Sequence, residues 1–427
     1  MEVTINSLTD CDREVEISLS PEELVPHFEQ AYKKATPSIE IKGFRKGKAP
    51  LSLIKKMYGD SIEYDALDDI ANDSFKKTII EERKIQPIGT PNLVDMKYKR
   101  GEPFTFKIKY EVKPDFELKE YKGIEVEKKV KRITDKEVEA EVDRLRHINA
   151  SYEEAKKVDG TEFMITADLQ DLDETGTPLI GKKSEGMKIY LNEPDTEKEI
   201  KKALADAELG GTYTAKFTHQ HGDHSHDVHL QITVKKIEKV ILPEFNDEFV
   251  KKITKEKYSS STDFRKAIEE DLRRYWNEQT ESQFVNDLTR EIVRRHEFAV
   301  PESLVNSFID SYIEDAKNQQ PNKKLPKNFD EEKYRESLRP TAIWQAKWAL
   351  IREQILKQEK IEVSDAEIQT MAEAESAKLG IDKERLVQYY KSSDTALERI
   401  INEKLIELLK KSAVVKEVEN TDIPNAV

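Results

Sequence analysis

Polar and apolar positions alternate over residues 15–19, with Val15, Ile17 and Leu19 separated by Glu16 and Ser18. That period of two predicts a half-buried strand. Ser20-Pro21-Glu22-Glu23 follows it and reads as a helix start: Ser at the cap, Pro in the first turn, and Glu three residues beyond the cap. The spacing carries this helix to about Ala35. Further helices are predicted over 51–58 and 64–83, the second with Ile70, Ser74, Phe75 and Thr78 on one face. Alternation returns from Phe104 to Val112 and stops before Pro114, where a first domain boundary is placed.

Residues 115 to 150 read as a connector. A strand-like Ile124–Glu127 leads to a capping box at Thr134 and Glu137 and a helix with Val138, Val142 and Leu145 at helical spacing. The strand rhythm resumes in Phe163–Leu169 and Val228–Val234. From Pro243 onward the pattern is helical throughout. Stripes include Phe264, Ile268, Leu272 and Tyr275, then Phe284, Leu288 and Ile292, then Trp344, Trp348, Ile351 and Ile355. Ser364 caps a later helix, Gly380 ends it, and Lys416–Val427 reads as a disordered tail. The expected class is α+β and multidomain, with a mixed α/β domain over 1–115, a linker over 116–150, an antiparallel-sheet domain over 151–243 and an all-helical domain over 244–427.

A chain of 427 residues has room for two or three domains, and its 37% charged and 37% hydrophobic fractions describe a soluble, helix-rich protein. No apolar stretch nears the roughly 20 residues of a membrane span, and Met1-Glu2-Val3-Thr4-Ile5 lacks the basic start and apolar core of a signal peptide. The cytoplasm is therefore the expected location. The single Cys11 has no partner for an internal disulfide and reads as a small residue near a strand rather than a nucleophile.

Charge changes the picture at one place. The net charge is −14, yet between Lys42 and Gly59 there are six basic residues, Lys42, Arg45, Lys46, Lys48, Lys55 and Lys56, and no acid. Within that stretch Gly43-Phe44-Arg45-Lys46-Gly47-Lys48-Ala49-Pro50 carries the turn residues that bend a chain sharply. Cations on both sides of an exposed ring suit an RNA-rich partner, since Lys and Arg displace counterions from phosphates while the ring stacks or fills an apolar crevice. The plainer alternative is a solvated basic loop with Phe44 folded into the core.

The pattern Gly-Phe-Arg-x-Gly-x-x-Pro, preceded by a helix from Glu22 to about Ala35, resembles the ribosome-docking signature of the bacterial trigger factor family. Gly43, Phe44, Arg45, Lys46, Gly47 and Pro50 match it residue by residue, and Lys48 adds its charge. The resemblance implies an ATP-independent chaperone at the peptide exit of the large ribosomal subunit, in contact with ribosomal protein and rRNA and with nascent and unfolded chains, and with no membrane partner. Whether the free protein pairs as a homodimer stays open. It also implies an α/β docking domain, an FKBP-like antiparallel-sheet middle domain and a helical, arm-like C-terminal domain. The middle domain of this family is a peptidyl-prolyl isomerase, but here Leu169-Gln170-Asp171 stands where an aromatic-x-Gly is expected, and Glu197-Lys198-Glu199-Ile200 stands for Val-Ile-Pro-Gly-aromatic. Phe217 is kept. A charged pocket of this kind should turn over poorly, so no catalytic residue is assigned; an active isomerase is the alternative reading. A periplasmic chaperone of similar make-up is opposed by the lack of a signal peptide and by the basic loop.

One motif falls outside this picture. Five of the eight histidines, His219, His221, His224, His226 and His229, lie within eleven residues. In extended strands His219 and His221 share a face, as do His224 and His226, and a turn at Gly222-Asp223 would bring the pairs together. Imidazoles so placed suit Zn²⁺ or Ni²⁺, with help from Asp223 or Asp227. The alternatives are a polar, partly solvated hairpin or one loosened by imidazole protonation below about pH 6.5. No other cofactor is expected.

Overall fold

In a computed structural model of the chain, the alternation at residues 15–19 belongs to an antiparallel sheet of β1 (Glu2–Ser7), β2 (Asp12–Leu19), β3 (Ile88–Lys97) and β4 (Phe104–Glu111) in the order β1-β2-β4-β3. Residues 1–221, 224–326 and 328–419 are described; the side chains of residues 219–221, 224–226 and 379 are not. Val15, Ile17 and Leu19 pair with Ile108, Phe106 and Phe104, so the apolar alternations of two strands bury one common face. Helices α1 (Pro21–Ala35), α2 (Leu51–Asp65) and α3 (Leu67–Phe75) follow in sequence between β2 and β3. Leu24, Leu67, Ile70 and Phe75 close the core over the sheet, each contributing on the order of 1.5–3 kcal/mol by burial. The capping box at Ser20 and Glu23 is formed as read.

Two helix limits differ from the sequence pattern. The helix predicted to stop near Tyr58 continues through Gly59 to Asp65, because Gly59 is buried under another chain segment. A Cβ there would stand 3.1 Å from Tyr32 Oη and 3.2 Å from an Arg100 guanidinium nitrogen, so this glycine allows close packing rather than a break. The helix predicted over 64–83 divides at Ala66 into α2 and α3, and Lys76–Glu82 continues as a π-helix.

The chain divides into two units, one of Met1–Lys128 with Ser282–Lys416, the other of Lys129–Glu281 with the segment from Glu417. After β5 (Glu125–Val130), the second unit begins with α4 (Asp135–Ile148), capped by Thr134 and Glu137. Its sheet comprises β6 (Ser151–Ala155), β7 (Phe163–Leu172), β8 (Pro178–Tyr190), β9 (Thr212–His221) and β10 (His224–Ile241), with α5 (Lys198–Leu204) before β9. The order is β6-β10-β7-β8, and β9 also pairs with β10. Phe163, Ile165, Ile232, Val234 and Ile237 form the core with Leu204 of α5. After α6 (Asp247–Thr254), the first half of α7 (Ser261–Arg295) sets Phe264, Ile268 and Leu272 against Val138 and Val142 of α4.

The second half of α7 belongs to the first unit, with α8 (Glu302–Asn318), α9 (Glu331–Glu359), α10 (Asp365–Leu379), α11 (Lys383–Ser392) and α12 (Asp394–Ser412). Phe284, Leu288, Ile292, Ile351, Ile355, Leu405 and Leu409 enclose Tyr121, Ile124 and Val126, so the connector is part of the helical core. His296 fastens the same connector: its Nε2 accepts the Lys119 N–H at 2.8 Å and its Nδ1 donates to the Ile292 carbonyl at 2.7 Å. Glu111 at the end of β4 accepts the Ser303 N–H at 2.9 Å at the start of α8. Beside it Gly89 lies so close to α8 that a Cβ would meet Ser303 Cβ at 2.6 Å. The tail read as disordered from Lys416 instead continues β11 (Val414–Glu419), which pairs with β5. Val414 donates its N–H to Ile124 O at 2.9 Å, so backbone pairing rather than an apolar alternation holds this strand. Residues 420–427 of that tail lie outside the described residues. Among the described residues no helix is long and apolar enough to cross a membrane.

Two carboxylates of these helices tie stability to pH. Lys404 and the Ser364 cap hold Glu367 down to about 2, and Arg294 and Arg295 hold Glu291 at about 2. Both values are depressed from 4.5, so the stabilisation is complete above that pH and is lost as pH falls toward 2. Urea midpoints of the helical part, followed by circular dichroism, should therefore decline between pH 4.5 and 2.5, and Glu367→Gln should flatten part of that decline. An equal slope in the variant would remove Glu367 from the account.

Candidate functional site

The basic loop leaves α1 through a short 3-10 turn at Thr36–Ser38 and re-enters helix at Leu51. Two buried side chains, Ile41 and Ala49, anchor its ends in a cluster with Tyr32 and Ile54. Between them are two tight turns, closed by Phe44 N–H to Ile41 O at 3.0 Å and Lys48 N–H to Arg45 O at 2.9 Å. Gly43 and Gly47 take the third position of these turns with φ of 97° and 72°, where an L side chain would be strained. Gly47 also donates to Ile39 O at 3.1 Å, and a Cβ on it would press on the Pro37 backbone at 3.1 Å. The glycines of the motif are thus the means by which the loop is folded back on its own stem.

This folding presents Phe44. Its ring is 43% exposed and belongs to no core cluster, which decides against the reading that folds it inward. Lys42, Arg45, Lys46 and Lys48 are exposed beside it. Among the described residues none of these four, nor Lys55 or Lys56, makes an ion pair, although such pairs are frequent elsewhere on this surface. Lys55 instead lies over the Tyr32 ring at 5.0 Å. The arrangement is a firmly held apolar tip surrounded by uncompensated positive charge, suited to a partner rich in phosphate with an apolar recess.

The sequence reading missed two features of this site. Leu51, Met57 and Tyr58 of α2 are also exposed and extend the apolar surface beyond the motif; three large apolar residues interleaved with Lys55 and Lys56 were the available signal. The second is a buried polar knot beneath the loop. Glu63, 5% exposed, accepts from Tyr32 Oη at 2.7 Å, from Tyr98 Oη at 2.7 Å and from Arg100 at 3.0 Å. Burial, then donation to Glu63, pushes both phenols above their ordinary range, so they stay protonated as donors. The knot joins α1, which enters the loop, to α2, which leaves it, and to the turn between β3 and β4.

In the second unit the residues compared with an isomerase pocket have structural positions. Glu197 is the N-cap residue of α5, Ile200 packs on the core with Leu169 and Phe217, and Asp171 pairs with Leu230 across β7 and β10. The histidines divide. His219, His221, His224 and His226 lie on β9 and β10, their side chains outside the described residues, whereas His229 sits opposite Lys216 with Nδ1 3.2 Å from Asp173 O. Gly222 and Asp223 lie outside the described residues.

Comparison with known proteins gives consistent matches at both ends of the chain. The family described as bacterial trigger factor protein matches residues 1–145, and bacterial trigger factor protein C-terminus matches residues 261–411. A trigger factor of Chlorobium phaeobacteroides is 31% identical over 99% of this chain and 99% of its own length. One of Salinibacter ruber is 29% identical over 94% of this chain and 90% of its own. A solved structure described under promiscuous substrate recognition in folding and assembly activities of the trigger factor chaperone is 18% identical, with a TM-score of 0.49 over 96% of this chain and 99% of that one.

Proposed function

This chain belongs to the bacterial trigger factor family, and we propose that it is a ribosome-associated chaperone that docks through the Gly43–Pro50 loop. The observation that carries the docking assignment is Phe44, exposed between two buried anchors and ringed by cations that make no ion pair among the described residues, on a chain of net charge −14. An acidic protein is repelled from nucleic acid except where such a patch faces it, so the loop sets the orientation in which it meets the large subunit at the peptide exit. Rigid turns lower the entropy lost on docking. The contacts combine rRNA phosphates for the cations with an apolar recess for the ring. Its place of work is the cytoplasm. Off the ribosome the same ring is available to a second copy, which gives a homodimer of the free protein.

Holding an emerging chain is a matter of weak, repeated apolar contact. Large exposed side chains such as Ile148, Tyr152, Ile180, Leu209, Ile381 and Tyr389 are spread over separate helices, strands and loops, which supports binding without trapping. The sequence has no Gly-Lys-Ser/Thr phosphate loop, in keeping with a cycle that uses no ATP. The charged residues at the start of α5 do not favour the isomerase reading.

Cosedimentation of the full chain with large ribosomal subunits tests this. Binding should weaken as salt rises, with a log-log slope of about one for each phosphate neutralised and a total of about three to five. Absence of binding at low salt, or a flat response, overturns the docking assignment.

A further inference from the structure

We propose that the free edge of β1 accepts an extended segment of an unfolded polypeptide as a fifth, antiparallel strand; resting on the chaperone reading, this gives the holding of clients a site and a mode of contact. Among the described residues β1 pairs with β2 alone, in an unbroken register from Glu2 opposite Ser18 to Ser7 opposite Arg13. One step beyond, Leu8 donates its N–H to Asp12 O at 2.9 Å. Bonded and non-bonded pairs alternate along an antiparallel ladder, so Glu2, Thr4 and Asn6 direct their backbone groups to β2. Val3, Ile5 and Ser7 turn theirs the other way, where among the described residues no strand takes them up.

This edge is bare where comparable edges are guarded. β3, at the other side of the same sheet, shifts register twice against β4 and lies against α8 at Gly89 and Ser303. β8, at an edge of the second sheet, opens on Pro178, shifts register twice against β7 and carries Lys182, Lys183 and Lys188. Bulges, prolines, lysines and covering helices are the devices that prevent strand addition. Glu2–Ser7 has no proline, no lysine and no bulge.

The chemistry of its two faces defines the guest. Val3 lies opposite Ile17 and Ile5 opposite Val15, both fully buried, yet Val3 and Ile5 are themselves only partly covered. The core runs up to the edge and stops there, so apolar guest residues opposite Val3 and Ile5 would continue it on the same face. On the other face Glu2 is exposed and makes no ion pair among the described residues. Glu16 and Glu14 stand opposite Thr4 and Asn6, with Lys107 at 3.1 and 3.6 Å. That face therefore repels a phosphate-rich partner and favours neutral or basic guest residues. A row of unmet N–H and C=O groups is satisfied along its length by another extended backbone, which an unfolded chain offers and a folded one has already paired.

The probe is a short fluorescein-labelled peptide in which Val alternates with Lys and Thr, titrated into the full-length chain and followed by anisotropy. It should bind with a Kd on the order of 10 μM. In an antiparallel pair the inward Val residues are the ones bonded to β1, so N-methylation of their amides should weaken binding about tenfold or more. N-methylation at the Lys and Thr positions should change it by less than about threefold. Ser7→Pro removes one outward donor at an exposed position and should weaken binding about tenfold; Ile5→Pro removes the central one and should abolish it. Melting curves establish that both fold, and Ser7→Pro carries the test if Ile5→Pro does not. Cosedimentation of Ser7→Pro with large ribosomal subunits should match the wild type, which separates this edge from the docking loop. Equal loss on methylating either set of amides, or undiminished binding by Ser7→Pro, overturns the proposal. So does a wild type that ignores the peptide yet suppresses aggregation of an unfolded client, which leaves the chaperone reading standing; one that does neither overturns both. Self-association lost in Ser7→Pro while peptide binding persists would seat a second copy on this edge and overturn the proposal as well.

Discussion

Replacing Phe44, Arg45 and Lys46 together by Ala should lower affinity for large ribosomal subunits by about two orders of magnitude at moderate salt while leaving the melting curve unchanged. Two lost phosphate contacts reduce the salt slope by about two, and loss of a ring seated in an apolar recess removes roughly 1.5–3 kcal/mol. The fold has little at stake, because Phe44 touches no core cluster and neither cation has an ion-pair partner among the described residues. Cosedimentation across a salt series measures both quantities. Full retention of binding would show that the contact lies elsewhere; a collapsed melting curve would show that the loop carries structure as well.

Glu63→Ala should act in the opposite way, on the fold first and on docking through it. The change leaves Tyr32 and Tyr98 as buried hydroxyls without their acceptor and Arg100 without its inner carboxylate, at a cost of about 3 to 5 kcal/mol. Glu63→Gln keeps an acceptor oxygen and should lose less. Hydrogen exchange over residues 21–65, measured in the full chain, is the direct readout: protection of α1 and α2 should fall in the Ala variant, and ribosome binding should fall with it. If protection falls and binding does not, the loop is held by Ile41 and Ala49 alone.

How far this was legible in the sequence depended on the range of each interaction. The Ser20 and Thr134 capping boxes, the alternation on β2 and β4 and the helical stripes of α7 and α9 are local patterns, and each is where it was read, except that Tyr275 of the α7 stripe is exposed. The loop was legible for the same reason, since its glycines and cations are contiguous. Gly59 was misleading because its use depends on Tyr32 and Arg100, which the fold brings from 27 residues before and 41 residues after it. The Glu63 knot is of the same kind and left no local sign. For the histidines, spacing within each strand was readable, but only the pairing of β9 with β10 separates His229 from the other four.

The way the chain leaves and re-enters its first unit has a consequence for how the protein is made. Lys128 Nζ lies 5.9 Å from the Phe284 ring, and the Lys129 carbonyl accepts from Thr280 at 3.1 Å, so departure and return are neighbours and residues 129–281 are an insertion. Tyr121, Ile124 and Val126 are synthesised early, yet the Leu405 and Leu409 that cover them arrive near the end. During translation the β1–β4 sheet closes its core from residues 3–112 alone and the inserted unit gains its sheet partners, Phe163 through Ile241, in one uninterrupted run, whereas the helical core around the connector must wait open. Much of this protein's own synthesis is therefore spent with the connector's apolar residues uncovered, in the same need of shelter that it provides to others.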